Sequence, residues 1–263
     1  MMTEKKQKLL NDIKESQLVL IGLGTEFHIE EESFDQWDLY RKWQEADRNR
    51  ENLWMEPFLK RMWLRQEKHL KAEKAYASLA RLLEGKNYFI VTLCTDGMIY
   101  KSGLAEDRIV APCGNMEKLQ CRAGCREELY PWKEEMEREL TEAILEGHLE
   151  KCSPFICPCC GETLEWNTIH AQHYNEASYL PMWEKYTKWL QGMLNRRVCI
   201  VEAGVDFSYP SVIRWPFEKM AYFNKKADFY RIHETWYQLA EELKEKGNSI
   251  SCNSKEFFVN LFV

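Results

Sequence analysis

Residues 87–97 read NYFIVTLCTDG, an apolar run that closes with a cysteine, a threonine, an aspartate and a glycine. The segment from Tyr88 to Val91 consists of β-favouring residues, and the run is too short for a typical helix. The Asp-Gly pair that follows is a turn signal. The stretch therefore predicts a buried strand that ends in a turn, and Asp96 is either a site residue or an ordinary turn residue.

Three other apolar runs predict further strands: QLVLIG at 17–22, RVCIVEAG at 197–204 and ADFYRIH at 227–233. Apolar residues recur at helical spacing over 72–83, where the pattern stops at Gly85, and again over 133–150. This alternation predicts an α/β fold with a Rossmann-like, mostly parallel sheet and helices on both faces. In such folds ligands bind at the carboxyl ends of the strands.

Glycines and polar residues gather at these predicted strand ends, in GLGT at 22–25, CTDG at 94–97 and GVD at 204–206. In the first of these, glycine lets backbone N–H groups approach an anion, which suits a phosphate. The same G-x-G pattern also marks an ordinary tight turn after a strand. Both interpretations of residues 22–25 stay open at this point.

The composition of the chain argues against some classes of binding partner. The chain has 263 residues, 45% hydrophobic content and a formal net charge of -6. A net acidic protein is repelled by phosphate surfaces unless basic residues are concentrated locally, so we expect no nucleic-acid or membrane partner. The amino-terminal residues lack the apolar core of a signal peptide, and no run is long enough to span a bilayer. We therefore expect a cytoplasmic protein.

Ten cysteines are more than packing requires, and in a reducing compartment they indicate metal or redox use before disulfides. The segment CRAGC supplies Cys121 and Cys125, and CPCCG supplies Cys157 and Cys160. Two close thiol pairs suit tetrahedral zinc, because each pair spans one side of the ion while a tight turn directs backbone N–H groups at the sulfurs. This pattern predicts a zinc site.

Other residues compete for the same ligand positions. Cys152 and Cys159 lie close to the second pair, although Gly161 permits the turn that favours Cys157 and Cys160. The two histidines of IHAQH at 169–173 are also possible ligands, but polar residues on a loop or helix face are the simpler interpretation.

Residues 34–65 form a polar and aromatic stretch whose periodicity assigns no structure. Its tryptophans could present a surface to a partner, although such residues more often fill a core. A zinc-stabilised interaction protein is therefore one functional hypothesis.

Taken in order, several segments resemble the sirtuins, the NAD-dependent protein deacylases, and most of all their macrodomain-associated bacterial branch, which is linked to protein ADP-ribosylation. The segments are LVLIGLGT, YFIVTLCTDG, APCGNMEKLQCRAGC, CPCCGETLEWN and VCIVEAGVDFSYPSVIRWPFEKM. The resemblance extends over about residues 17 to 233. It implies a discontinuous Rossmann-like NAD-binding domain at 1–110 and 190–263, and a zinc-binding module with a helical insertion at 111–189.

The resemblance also implies a function. It predicts an NAD-dependent protein deacylase or protein ADP-ribosyltransferase that cleaves NAD, releases nicotinamide and acts on an acylated or ADP-ribose-accepting protein. The alternative is a catalytically degenerate sirtuin that binds NAD or ADP-ribose as a sensor or interaction module, without turnover.

Carried over by position, the resemblance places the NAD diphosphate at Gly22, Leu23, Gly24 and Thr25. It also assigns cofactor-binding positions on the last NAD-binding strands to the residues Gly204, Val205 and His233.

The catalytic positions implied by the resemblance are Asp96, Cys94 and Cys113. Asp96 would hold the nicotinamide amide, Cys94 stands where the family has an asparagine, and Cys113 stands where it has a histidine or, in the macrodomain-associated branch, a glutamine. A thiol is a poor proton shuttle near neutrality but a good nucleophile as a thiolate. Cys113 could therefore accept ADP-ribose or pair with Cys94, or the two thiols simply fill the site.

Overall fold

The computed structural model describes residues 2–263. The chain divides into two compact units. Unit 1 comprises Met1–His28, Leu70–Cys113 and Tyr179–Val263, and unit 2 comprises Ile29–His69 and Gly114–Ser178.

The strands and α-helices of the described residues are numbered in chain order. The strands are β1 (Leu18–Leu23), β2 (Tyr88–Thr92), β3 (Ile109–Val110), β4 (Gly114–Cys121), β5 (Tyr130–Pro131), β6 (Leu164–Thr168), β7 (Val198–Ala203), β8 (Ala227–His233) and β9 (Gly247–Ser251). The helices are α1 (Met2–Glu15), α2 (Asp38–Ala46), α3 (Glu56–Gln66), α4 (Leu70–Leu83), α5 (Glu134–Glu146), α6 (Leu180–Gln191), α7 (Arg214–Phe223) and α8 (Ser254–Val259).

The sheet of unit 1 has six strands in the order β3-β2-β1-β7-β8-β9, and every neighbouring pair is parallel. All residues of β1 and β7 are buried, which explains why their sequences are nearly continuous apolar runs. This sheet confirms the predicted α/β fold class. The chain adds β2 and β3 on one side of β1 and then places β7 on the other side, so the strand order reverses between β1 and β7.

The predicted helices are also present. α4 ends at Leu83, and the nearby Gly85 has a φ of +68°, so a left-handed residue follows the helix as the sequence indicated. α5 ends at Gly147, which also has a positive φ of +71°. No helix within residues 2–263 is long and apolar enough to cross a membrane.

Unit 2 contains a three-stranded antiparallel sheet in the order β5-β4-β6. The stretch 34–65, which the sequence left unassigned, forms α2, α3 and short 3-10 turns. Its large aromatic side chains are mostly buried: Phe34, Trp37, Tyr40, Trp43, Phe58 and Trp63. They fill the core of unit 2, as such residues do more often than they form a partner surface.

Candidate functional site

A four-cysteine cluster lies in unit 2. Cys121 is the last residue of β4, and Cys157 and Cys160 occupy the turn that precedes β6. The Sγ atoms of Cys121 and Cys160 are 3.5 Å apart, and those of Cys125 and Cys157 are 3.6 Å apart. All four Sγ atoms lie within 4.8 Å of one another, so the structure brings together the four residues predicted as metal ligands.

The cluster has the dimensions that zinc requires. A tetrahedral ion with four Zn–S bonds of about 2.3 Å separates its sulfur atoms by about 3.8 Å. The backbone N–H groups of Cys160 and Cys159 lower the pKa of the Cys157 thiol to about 6, although burial opposes the shift, whereas hydrogen bonds to Cys160 and Cys121 raise the pKa of Cys125. Thiolates are the form that binds zinc, and four protein ligands leave no position for a substrate. The cluster therefore fits a structural zinc site.

The competing residues stand apart from this cluster. Cys152 is buried, and its Sγ lies 3.6 Å from a carboxylate oxygen of Glu139. Cys159 is exposed. Neither thiol belongs to the group of four within ligand distance, and neither do His170 and His173.

A second candidate site lies at the carboxyl edge of the sheet in unit 1, where β1 and β7 end side by side. The Gly24 N–H donates to the Ala203 carbonyl at 2.9 Å. A Cβ on Gly24 would lie 2.1 Å from the Gly204 carbonyl oxygen, and Gly204 has a φ of +68°. Glycine at both positions therefore lets the two strand ends touch where the strand order reverses, the usual ligand position in open α/β sheets.

The first two residues of the glycine motif lie inside β1. A Cβ on Gly22 would be 2.5 Å from Cγ2 of Ile213, next to α7, so this glycine makes room for the packing of a neighbouring segment. Leu23 is fully buried. Thr25 begins the turn proper, and its hydroxyl donates to a carboxylate oxygen of Asp206 at 2.9 Å.

Glu26 follows β1 and contacts residues at or just after the ends of β7, β8 and β9. Its N–H donates to the Gly204 carbonyl at 3.4 Å. Its carboxylate accepts hydrogen bonds from the backbone N–H groups of Glu234 at 2.8 Å and Ser254 at 2.7 Å. Oε1 of the same carboxylate lies 3.0 Å from Nδ1 of His233, the last residue of β8.

His233 is neutral in this arrangement. The N–H groups of Thr235 and Trp236 also point at Nδ1 of the ring, each at 3.0 Å. Burial lowers the pKa of His233, although Glu26 and Asp206 oppose that shift. The carboxylate of Glu26 is therefore not neutralised by this imidazole near pH 7.

Asp96, the first residue of the Asp-Gly pair, lies in a turn and also at this edge of the sheet. One of its carboxylate oxygens accepts the N–H of Met98 at 2.9 Å, and Gly97 has a φ of +71°. The aspartate is 7% exposed and follows β2, the strand next to β1. The turn thus holds a buried carboxylate at the carboxyl end of the sheet.

The two candidate catalytic thiols are protonated. Burial raises the pKa of Cys94 far above its usual range, and Asp96 raises it further. The Cys94 Sγ donates to the Gly24 carbonyl at 3.4 Å, which places it against the glycine turn. Burial alone raises the pKa of Cys113 to about 11. Neither thiol can act as a base or as a ready thiolate at neutral pH.

Several residues at this edge had no role assigned from sequence. His28 Nε2 accepts the N–H of Thr95 at 3.2 Å, and Lys255 Nζ donates to the His28 carbonyl at 2.6 Å. Ser254 is fully buried, and its hydroxyl oxygen has no hydrogen-bond partner among the described residues. The local sequence signal here is the helix cap of α8, in which the side chain of Asn253 accepts the N–H of Glu256.

The edge has features that fit NAD. A Cβ on Gly24 would meet backbone atoms, and one on Gly204 would meet the side chains of Glu26 and Ser254, so both glycines let this edge pack closely. Asp96 offers a buried acceptor for an amide N–H group, and the hydroxyl of Ser254 lacks a partner. The carboxylates of Glu26 and Asp206 add negative charge beside the same turn.

Comparison with known proteins identifies sequences and structures that are similar to this chain. No family model matches the chain. A protein ADP-ribosyltransferase of Staphylococcus aureus (strain Mu50 / ATCC 700699) is 21% identical over 179 residues, which cover 66% of this chain and 55% of that protein. A probable bifunctional ADP-ribose hydrolase/ADP-ribosyltransferase of Fusarium oxysporum f. sp. cubense is 23% identical over 141 residues, 52% of this chain and 24% of that protein. The chain thus spans about half or less of the curated relatives it matches.

Solved structures resemble the chain over nearly its whole length. A Sir2 homologue in complex with NAD has a TM-score of 0.57 at 15% identity, covering 97% of this chain and 91% of that one. A Sir2 enzyme bound to a propionylated peptide has a TM-score of 0.53 at 14% identity, covering 97% of this chain and 95% of that one. At these identities the likeness shows the fold, and it confirms the fold that the sequence resemblance predicted.

Proposed function

Because the chain has the fold of the Sir2 sirtuins, we propose that it binds NAD at the carboxyl edge of the unit 1 sheet and transfers ADP-ribose to a protein acceptor, with release of nicotinamide. The observation that carries the proposal is the buried Asp96 carboxylate, fixed by the Met98 N–H beside the reversal of strand order. Of the two activities implied by the sequence, transfer to an acceptor is the one these residues support better than deacylation.

The reason lies in the proton transfers that the two reactions need. Deacylation requires a base that activates a ribose hydroxyl after nicotinamide has left. Cys113 occupies the position where the resemblance puts that base, and its thiol has a pKa of about 11. Transfer to an acceptor needs no base at this position when the acceptor supplies its own nucleophile.

NAD supplies the ADP-ribosyl group and the nicotinamide leaving group when it is bound. In our proposal, Asp96 accepts a hydrogen bond from the nicotinamide amide and orients the ring. Gly24 and Gly204 let the ends of β1 and β7 pack closely beside the cofactor, while the buried Cys94 and Cys113 thiols line the site without exchanging protons. The names of the Staphylococcus and Fusarium relatives support this choice of reaction, and peptide-bound Sir2 structures support a protein acceptor.

The four-cysteine cluster holds zinc in this proposal and stabilises unit 2. The ten cysteines are all unpaired, which supports our expectation of a reducing, cytoplasmic location.

The test is an assay of nicotinamide release from NAD with candidate acceptor proteins, with the chain itself and with acyl-lysine peptides, combined with mass spectrometry of the acceptors. We expect ADP-ribosylated protein and no deacylated peptide. Asp96→Asn keeps an acceptor for the Met98 N–H, so the turn survives, but it loses the charge that holds the amide; we expect turnover to fall at least about tenfold.

Asp107→Asn is the matched control, because it removes the same charge from an exposed position of unit 1 and should leave turnover unchanged. Peptide deacylation without protein modification would contradict the choice of reaction. Unaltered turnover in Asp96→Asn would contradict the role of Asp96.

The second candidate function is binding of NAD or ADP-ribose without turnover. It is favoured by the protonated Cys94 and Cys113 thiols, which leave the catalytic positions without a base or a ready nucleophile. A rise in melting temperature with NAD or ADP-ribose, together with no nicotinamide release in any reaction, would establish this function in place of transfer.

A further inference from the structure

The carboxylate of Glu26 occupies a fixed position at the ends of β8 and β9. Each of its oxygens accepts one backbone N–H, from Glu234 at 2.8 Å and from Ser254 at 2.7 Å. The two contacts come from residues 208 and 228 positions away in the chain. The side chain is 10% exposed, so it is mostly buried but still reaches solvent.

Charges of both signs lie near Glu26. Asp206 holds the Thr25 hydroxyl on the same turn, and the exposed Glu234 follows β8. His233 is neutral, for the reasons given above. The nearby cation Arg214 donates to the carbonyls of Val205 at 3.1 Å and Trp236 at 3.2 Å, so its guanidinium clamps two loops.

A carboxylate in this state accepts a hydroxyl but repels a phosphate. Each oxygen has two lone pairs, and Oε2, which contacts only the Ser254 N–H among the described residues, uses one of them. A ribose hydroxyl can donate to the remaining lone pair, and the unpartnered Ser254 hydroxyl can bond to a sugar at the same place. A phosphate on the ribose is mainly a dianion at neutral pH and adds like charge within hydrogen-bond distance.

The position of Glu26 determines which half of a bound dinucleotide would lie next to it. Dinucleotides bind across the point of strand reversal, with one nucleoside on each half of the sheet. The β1-β2-β3 half carries Asp96, which we assign to nicotinamide. The carboxylate of Glu26 hydrogen-bonds to residues that follow β8 and β9 and therefore belongs to the half that receives the adenosine.

We propose that Glu26 is a specificity-determining residue, which accepts the free hydroxyls of the adenosine ribose and excludes a nucleotide that carries a phosphate on that ribose. The inference rests on the proposed function, since it requires a dinucleotide at this edge. It predicts that the protein distinguishes NAD from NADP through one side chain.

The experiment is isothermal titration of the full chain with NAD and with NADP. We expect the wild-type protein to bind NAD at least about tenfold more tightly than NADP, the size of effect produced by one like charge at this distance. Glu26→Gln keeps the length of the side chain and one carbonyl acceptor but removes the charge. It should reduce the NAD-to-NADP ratio at least about tenfold, chiefly by tightening NADP.

Asp107→Asn is again the matched control, since it removes an exposed carboxylate of unit 1 just before β3, away from this turn, and should leave the ratio within about twofold. A general electrostatic effect would instead move both variants equally, and that outcome overturns the assignment. Equal weakening of NAD and NADP in Glu26→Gln would also overturn it, because it would indicate a structural role alone. Glu26→Asp tests the same point if the glutamine variant does not fold: it keeps the charge but shortens the side chain, and the ratio should fall.

The two proposals can fail separately. Binding of NAD with an unchanged ratio in Glu26→Gln and Glu26→Asp refutes the role of Glu26 and leaves the proposed function standing. Absence of binding by any nucleotide, in the wild type and in every folded variant, refutes both. Binding of NADP by Glu26→Gln, where the wild type binds only NAD, supports both.

Discussion

Arg231→Met removes the cation from a buried ion-pair cluster that joins β7 and β8. Arg231 Nε lies 2.6 Å from a carboxylate oxygen of Glu202, and its Nη2 lies 2.7 Å from one of Glu218. The side chains of Arg231 and Glu202 are 1% and 0% exposed. Methionine has a comparable length, so the substitution tests the loss of charge more than the loss of volume.

We expect this variant to lose about 3–5 kcal/mol of unfolding free energy, because it leaves Glu202 buried without its partner. Burial already raises the pKa of Glu202 against the attraction of Arg231. Without the arginine that pKa rises further, so the folded state binds a proton that the unfolded chain releases near pH 4.3. A folded pKa above the unfolded value means that stability falls as pH rises between the two values. The loss should therefore be smaller at pH 5 than at pH 8.

The assay is urea unfolding followed by circular dichroism at both pH values. Arg231→Met combined with Glu202→Met is the matched control, because replacing both partners by apolar groups removes the unpaired charge and should recover most of the loss. A loss below about 1 kcal/mol at both pH values would refute the reasoning. So would a double variant that is no more stable than the single one.

Three further predictions address the two candidate sites. We expect about one zinc per chain, and removing it with a chelator or by Cys121→Ser should lower the melting temperature. Cys159→Ser should change neither the zinc content nor the melting temperature. Metal analysis that finds no zinc in fresh, reduced protein would contradict this prediction. Gly24→Ala should cost at least about 2 kcal/mol and abolish nucleotide binding, since its Cβ would lie 2.1 Å from the Gly204 carbonyl oxygen; an unchanged melting curve would contradict the close approach. Cys113→Ser should keep transfer activity within about threefold, because a thiol with a pKa of about 11 moves no proton at pH 7; loss of nicotinamide release in folded protein would show that the thiol takes part.

The elements that could be predicted from sequence are those whose signal is local. β1, β2 and β8 are apolar runs, and their burial on both faces of a parallel sheet produces that pattern. β3 was missed because it has two residues, and β9 because its sequence GNSIS carries only one fully buried apolar side chain. β4 pairs irregularly with β6, with a register shift between Gly114 and Leu119 that removes any regular alternation.

The same distinction holds for the two sites. The cysteine cluster was predictable because each half is a close thiol pair, and the turn at Gly161 is visible in the sequence. The contacts of Glu26 were not, since its carboxylate meets backbone N–H groups that carry no side-chain signature. Sequence could flag Glu26 only as a charge beside a glycine turn, whereas the structure shows what that charge is bonded to.

In our two proposals the halves of the carboxyl edge control different steps, so the proposals can be tested separately. On the side of β2 and β3, the protonated Cys94 and Cys113 thiols remove a base and so affect proton transfer, but they add no charge that would oppose binding. On the side of β8 and β9, Glu26 adds a charge that affects which nucleotide binds, but it lies outside the half that carries Asp96. Replacing Cys113 by a residue that can act as a base should therefore change turnover at constant affinity, whereas Cys113→Ser should not. Substitutions at Glu26 should change affinity ratios without changing the reaction.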